Sequence, residues 1–284
     1  MRPSEAVLLL RCADRCGIVA SVAGYLFEQG CNILDSQQFR DPDTGMFFMR
    51  VHLGSENGAS VETLRAGFAA LAQRFGMDWG LYDSAVKPRI LILVSRAGHC
   101  LNDLLFRWQS GALPVDVAAV VSNHPDLAAM AASYGLPFHH RPVDAHSRQA
   151  QEQGLLELSD HERIELIVLA RYMQILSPAL TRALEGRAIN IHHSFLPSFK
   201  GARPYAQAYA RGVKIIGATA HYVTTELDEG PIICQDIAHV EHRMNADELQ
   251  AIGRDIESRV LARAVKAHVE HRVALNGIKT VVFQ

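Results

Sequence analysis

An unbroken apolar run, Ile90-Leu-Ile-Leu-Val94, opens directly after Lys87-Pro88, and no other segment constrains the fold as much. A strand with one wet face alternates apolar and polar side chains. A continuous apolar run therefore implies a strand covered on both faces, as in a parallel sheet flanked by helices. The chain beyond it alternates accordingly. Val115 to Val121 reads as a second buried strand, Pro125 to Tyr134 as a helix and Ile164 to Ala170 as a strand. Pro178 to Leu184 then reads as a helix, with Ala188 to His192 and Gly217 to Tyr222 as strands. Asn245 with Glu248 three residues on has the form of a helix start, so Ala246 to Val273 is expected as one long closing helix. The pattern predicts an α/β fold with a doubly wound, mostly parallel sheet, whose crevice lies at the carboxyl ends of the strands.

The residues ahead of Lys87-Pro88 read as a separate unit. Ala6 to Cys12 is β-prone, and Asp14-Arg-Cys-Gly17 makes a polar turn. Ile18 to Gln29 carries Ile18, Val22 and Leu26 at helical spacing, and Gly30 stands where a helix would stop. Asn32 to Phe39 and Phe47 to Leu53 flank Asp41-Pro-Asp-Thr-Gly45, a hairpin loop by composition. Val61 to Phe75 is helical in pattern and Asp78 to Tyr82 suits a last strand. The order βαββαβ is that of ferredoxin-like folds. Proline confines itself and its predecessor to extended backbone, so the expected division is 1–84, a linker at 85–88, and 89–284.

Length and charge narrow the function. A chain of 284 residues suits two domains. With 28 basic against 30 acidic residues there is no electrostatic footprint for nucleic acid or an anionic membrane surface. No apolar run reaches the ~20 residues of a membrane span, and Met-Arg-Pro-Ser-Glu lacks signal-peptide organisation. The five cysteines are an odd, scattered set; Cys12 and Cys16 are the nearest to a pair, and no second pair completes a zinc site. A reducing cytoplasm is the expected compartment, and no metal is expected.

Chemistry concentrates in two segments. In Asn190-Ile-His-His-Ser-Phe-Leu-Pro-Ser-Phe-Lys-Gly-Ala-Arg-Pro204, Asn190 and His192 are two apart on a strand and so share a face. An amide and an imidazole converging there can hold a carbonyl oxygen as it becomes an oxyanion. In the second, Gly217-Ala-Thr-Ala-His-Tyr222 runs into a loop bearing Glu226, Asp228 and Glu229 before Gly230-Pro231. A carboxylate near an imidazole can orient a water and take its proton. Each item alone has a bland alternative, a hydrogen-bonded strand histidine or a solvated acidic turn. Three segments supplying amide, imidazole and carboxylate to one crevice outweigh those alternatives.

These residues resemble the folate-dependent formyltransferase superfamily, in Asn190-x-His192 with its Ser-Phe-Leu-Pro tail and in Leu227-Asp-Glu-Gly-Pro231. The longer Asn190 motif with Gly201-Ala-Arg-Pro-Tyr205 is closer to one branch, the formyltetrahydrofolate deformylases. Asp14-Arg-Cys-Gly-Ile-Val-Ala20 and Gln29-Gly-Cys-Asn-Ile33 resemble the ACT domain that this branch carries in front of its hydrolase domain. The resemblance implies that Asn190, His192 and Asp228 are the catalytic trio and that His221 accompanies the aspartate. It also implies that Ala170-Arg-Tyr-Met-Gln-Ile-Leu-Ser177 holds the pterin ring, through Met173, Gln174, Ile175 and Leu176, and Gly230 is expected to bind substrate with them. Many relatives have Arg where this chain has Gln174, and core packing is the competing role for Met173, Ile175 and Leu176. For the first domain it implies a homo-oligomer and an amino-acid effector held near Asp14, Gly17 and Asn32. A tight turn and helix cap at Asp14 and Gly17 is the equal alternative.

The first turn of the second domain separates the branches. Formylation of a phosphorylated amine calls for a glycine-rich turn whose N–H groups close on phosphate. Here the turn is Ser95-Arg-Ala-Gly-His-Cys-Leu-Asn102, with one glycine. Water is then the expected acceptor, and 10-formyltetrahydrofolate is expected to yield tetrahydrofolate and formate for one-carbon metabolism and purine synthesis, with no cofactor. Asp228 would orient and deprotonate the water, and His192 would pass a proton to N10. The rivals are a formyltransferase acting on an amine and a non-enzymatic amino-acid sensor. Parts for His193, His99 and Cys100 stay open.

Overall fold

The computed structural model describes residues 4–144, 146–196 and 204–284. The stretch from 197 to 203, which includes Gly201-Ala-Arg203 of the segment that begins at Asn190, lies outside the described residues.

The first compact unit comprises Met1–Lys87 with Glu270–Asn276 and Thr280–Gln284. Its elements are β1 (Ser4–Ala13), α1 (Ile18–Glu28), β2 (Cys31–Arg40), β3 (Met46–Ser55), α2 (Val61–Phe75) and β4 (Asp78–Asp83), in the βαββαβ order expected. The antiparallel sheet runs β2-β3-β1-β4. Inward residues of β1 (Leu8, Leu10, Cys12) meet Ile18, Val22 and Leu26 of α1 and Leu64, Phe68 and Phe75 of α2 in one core. Ser60 caps α2 by accepting from the Thr63 N–H, and Gly76 ends it in the left-handed conformation.

The second unit, Pro88–Val269 with Gly277–Lys279, is the α/β half. In chain order it holds β5 (Arg89–Val94), α3 (His99–Gln109), β6 (Asp116–Ser122), α4 (Ala128–Ser133), β7 (Phe138–His140), α5 (Arg148–His161) and β8 (Leu166–Leu169). It continues with α6 (Pro178–Ala183), β9 (Ala188–His192), α7 (Pro204–Arg211), β10 (Ile215–Tyr222), β11 (Ile232–His239) and α8 (Ala246–Val269). Its sheet is ordered β11-β10-β9-β8-β5-β6-β7, parallel from β7 through β9, with β10 and β11 antiparallel. Ile90 to Val94 are buried throughout, as a strand covered on both faces must be. Asn245 and Glu248 form the capping box that opens α8: the Asn245 side chain accepts from the Glu248 N–H, and the Glu248 carboxylate accepts from the Asn245 N–H.

Two expectations need correction. The closing helix stops at Val269, and Val273 is the first residue of β12 (Val273–Asn276), which is followed by β13 (Lys279–Val282) in a two-stranded hairpin. Asn276-Gly277, with φ +59° at the glycine, is a hairpin-turn dipeptide that turns the chain between these two strands, a signal the helical reading left unused. Within the tail, Glu270–Asn276 and Thr280–Gln284 group with the first unit rather than with the rest of 89–284. Ala274 and Phe283 pack on Phe48, with Leu9 and Val281 beside them, and Arg50 donates to the backbone oxygens of Glu270 and His271.

Candidate active site

Strand pairing assembles the first three groups. Asn190 and His192 project from one face of β9, and His221 of β10 stands directly opposite Asn190 in the antiparallel register. The Asn190 amide nitrogen lies 3.4 Å from His221 Nε2, and His221 Nδ1 lies 2.8 Å from the Tyr222 carbonyl oxygen. A carbonyl only accepts, so Nδ1 carries a proton and, in the neutral ring, Nε2 accepts from the amide.

The fourth group arrives on the loop after β10. Asp228 Oδ2 stands 3.2 Å from His192 Nδ1, and its Oδ1 stands 3.7 Å from His221 Nε2. The loop is held by the Tyr222 N–H, which donates to the Pro231 oxygen at 3.0 Å. That approach needs a glycine: a Cβ at Gly230 would sit 1.7 Å from the Tyr222 oxygen. Asp228 itself has φ +58°, a left-handed backbone that side-chain-bearing residues adopt at a cost of about 1–2 kcal/mol. Gly230 therefore positions the loop and is not among the residues that line the cleft.

Electrostatics follow from that packing. Burial works to raise the Asp228 carboxyl, but the His192 hydrogen bond and the pull of both imidazoles in their protonated form outweigh it and hold the group well below the usual carboxylate range. An ionised carboxylate accepts from His192 Nδ1, which leaves Nε2 as the acceptor of the neutral ring; that atom is buried and has no hydrogen-bond partner among the described residues. His193 stacks on His192 with ring centroids 5.0 Å apart. Burial, then the charges of Arg171 and His192, push it down to about 4.

These groups open onto a cleft of about 340 Å³, walled by the segment after β8 and by the loop from 223 to 228. Met173 (56% exposed) and Ile175 (61% exposed) line it, so neither is a core residue. Leu176 also lines the cleft while packing against the core of the second unit. Gln174 is half-buried on the cleft wall, and its amide donates to the Met173 oxygen. The Met173 N–H is already used, donating to Ser95 Oγ at 3.0 Å.

A group of residues to which the sequence reading gave no role, His99 and Cys100 having been left open, lies against this site. Arg171, with φ +66°, lines the cleft, and its Nε is 3.5 Å from Oε2 of the buried Glu257 on α8. His99 contacts the same Oε2 at 2.7 Å, and the Tyr205 hydroxyl donates to Oε1 at 2.6 Å. Burial acts to raise Glu257, but the His99 hydrogen bond, the Arg171 charge and the Tyr205 hydrogen bond hold it below its ordinary value. Gly253 admits the tyrosine, since a Cβ there would meet its ring at 2.1 Å. The available signal was an acid on the buried stripe of a helix, between Gly253 and Val260. His99, Cys100 and Glu257 place metal-type donor atoms within 4.8 Å of one another. A guanidinium and two hydrogen bonds already occupy the carboxylate, and burial pushes the Cys100 thiol far up, so the set suits a hydrogen-bond network better than a cation.

In the first unit the three effector candidates do not converge. Asp14 follows β1 and pairs with Arg40 at 2.7 Å. Gly17 (φ +92°) starts α1 without a side-chain cap. Asn32 sits on edge strand β2 opposite Gly54, which pairs with Glu5 at the other end of β1. Nine residues of strand, about 30 Å, separate that end from Asp14.

An ACT domain model matches residues 6–62 and a formyl transferase model matches residues 88–265. The chain therefore carries a formyl transferase-type domain behind an ACT domain. Formyltetrahydrofolate deformylase of Corynebacterium sp. (strain P-1) is 48% identical over 98% of this chain and 98% of its own. The Bacillus subtilis protein of the same name is 48% identical over 97% of this chain and 93% of its own. The crystal structure of formyltetrahydrofolate deformylase from Burkholderia mallei superposes with a TM-score of 0.96 at 50% identity, covering 99% of this chain and all of that one. The chain belongs to the formyltetrahydrofolate deformylase family.

Proposed function

We propose that the chain hydrolyses 10-formyltetrahydrofolate to tetrahydrofolate and formate. The observation that carries this reading is the convergence of Asn190, His192, His221 and Asp228 on one cleft with exposed apolar walls. The pterin and aryl rings lie against Met173, Ile175 and Leu176, which puts the formyl carbon near β9. Asn190 donates to the formyl oxygen as it becomes an oxyanion. A carboxylate held so low is a weak proton acceptor, so Asp228 serves to orient the water and fix His192. His192 Nε2 takes the proton as water attacks, and Asp228 stabilises the imidazolium. The same Nε2–H then protonates N10 as the C–N bond breaks. His221 orients Asn190 and Asp228. These steps use no metal or redox cofactor.

The first turn of the second unit supports water as the acceptor. His99 is turned onto Glu257 and Ser95 Oγ is spent on Asn123 and Met173, so the turn is committed to internal bonds rather than to a phosphate. Incubation with 10-formyltetrahydrofolate and no amine should yield formate and tetrahydrofolate in equal amounts. Turnover that requires an added amine would establish the transferase reading instead.

An ACT domain is of the amino-acid-binding kind, and the N–H groups of α1 lack a side-chain cap at Gly17. We place an amino-acid effector there, in a homo-oligomer, because Asp14 and Asn32 meet one ligand only if they come from two copies. The compartment proposed is the cytoplasm, consistent with five free cysteines; no helix among the described residues is long and apolar enough to cross a membrane. Millimolar amino acids should shift the melting temperature or the formate rate, and a monomer indifferent to all of them would refute the regulatory reading.

A further inference from the structure

Hydrolysis leaves a product that the four groups above do not accommodate. Water adds to the formyl carbon, the C–N10 bond breaks, N10 gains a proton, and the released formic acid ionises to formate. The site thus begins with a neutral amide and ends holding an anion beside the Asp228 carboxylate. Charge of that sign needs a cation that Asp228 does not neutralise.

Arg171 meets that need. It lines the same cleft as Asn190, His192 and Asp228. Its side chain is 17% exposed, yet Nε and Nη1 are buried without a hydrogen-bond partner among the described residues. Nε faces Glu257 at 3.5 Å, whose oxygens are already taken by His99 and Tyr205, so Nη1 is left to serve another acceptor. Buried guanidinium donors are normally satisfied, and a left-handed non-glycine backbone persists where the surroundings impose it. Glu257 balances the charge and fixes the side chain. We infer that Arg171 holds formate, and the oxyanion that precedes it, through Nη1, with Glu257, His99 and Tyr205 as positioning residues. The inference rests on the hydrolase reading of the site.

Titration of the full-length protein with sodium formate, followed by melting temperature and by inhibition of turnover, tests it. The parental protein should be stabilised and inhibited by formate far more than by chloride. Arg171→Met should abolish both effects and lower kcat by about 10²-fold with little change in KM for the folate. Arg171→Lys, which keeps the charge, should recover part of each. Because Arg171→Met leaves Glu257 buried and unbalanced, Arg171→Met/Glu257→Gln removes both charges and should show the same loss from a folded protein. A folded Arg171 variant that keeps parental kcat and formate sensitivity overturns the inference. So does a loss of kcat that merely follows the melting temperature and is not recovered by lysine. If the parental protein releases no formate, the hydrolase reading fails, while the formate-induced shift and its loss in the variants still decide whether Arg171 binds the anion.

Discussion

Replacing Gly230 by alanine adds one methyl group to a residue that does not line the cleft, yet it should disable the site. A Cβ there would lie 1.7 Å from the Tyr222 carbonyl oxygen, and carbon and oxygen rest at about 3.3 Å. Roughly 1.6 Å of movement must therefore come from the loop, since the obstacle is the backbone of β10 and cannot swing aside. Asp228 is two residues away on that loop, and its contact with His192 is only 3.2 Å. A shift of that size breaks the contact, and misplacement by about 1 Å costs on the order of 10²-fold in rate. Losing the bond between the Tyr222 N–H and the Pro231 oxygen should lower stability by about 1 kcal/mol. Steady-state formate release should therefore show a fall in kcat of about 10²-fold with KM nearly unchanged, in a variant that still unfolds cooperatively. Gly230→Ala within twofold of parental kcat would show that the Gly-Pro clamp does not place Asp228.

Asp228→Asn should cost about 10⁴-fold in kcat, because an amide no longer fixes the His192 tautomer or stabilises its imidazolium; near-parental formate release would remove Asp228 from the mechanism. His192→Gln and Asn190→Ala should each lower kcat by at least about 10²–10³-fold, and a rise in KM alone would contradict the oxyanion and proton-transfer roles. His193 and His268 are both pushed by burial from 6.5 down to about 4, so the unfolded chain binds more protons than the folded one between those values. Stability should be full above about pH 6.5 and decline towards pH 4 with a limiting slope of about 2.7 kcal/mol per pH unit for the two groups. Urea melts at stepped pH that showed a flat profile there would refute the burial argument.

The parts of the fold legible in the sequence were those set by local periodicity. Ile90 to Val94 announced a parallel sheet because burial on both faces leaves no room for polar residues. Asn190 and His192 declared a shared face through their spacing alone, and Asn245 with Glu248 announced the start of α8. The resemblance, rather than any periodicity, pointed to Asp228, whose left-handed loop conformation has no local signature. The end of α8 was missed because Val269 to Val273 continues an apolar pattern, while the residues that claim the tail, Phe48 and Arg50, are distant in sequence. Arg171 and Glu257 went unpaired for the same reason: one follows a strand, the other lies mid-helix, and only the tertiary fold joins them.

The central claim is that the formyl group leaves on water activated by this site, and isotope transfer tests it most directly. The protein should be incubated with 10-formyltetrahydrofolate in ¹⁸O-enriched water without any amine, and the formate analysed by mass spectrometry as it forms. One solvent oxygen in each formate, released with an equal amount of tetrahydrofolate and suppressed in Asp228→Asn, is the predicted result. Formate formed no faster than without protein, or formyl transfer that appears only when an amine is supplied, would contradict the account.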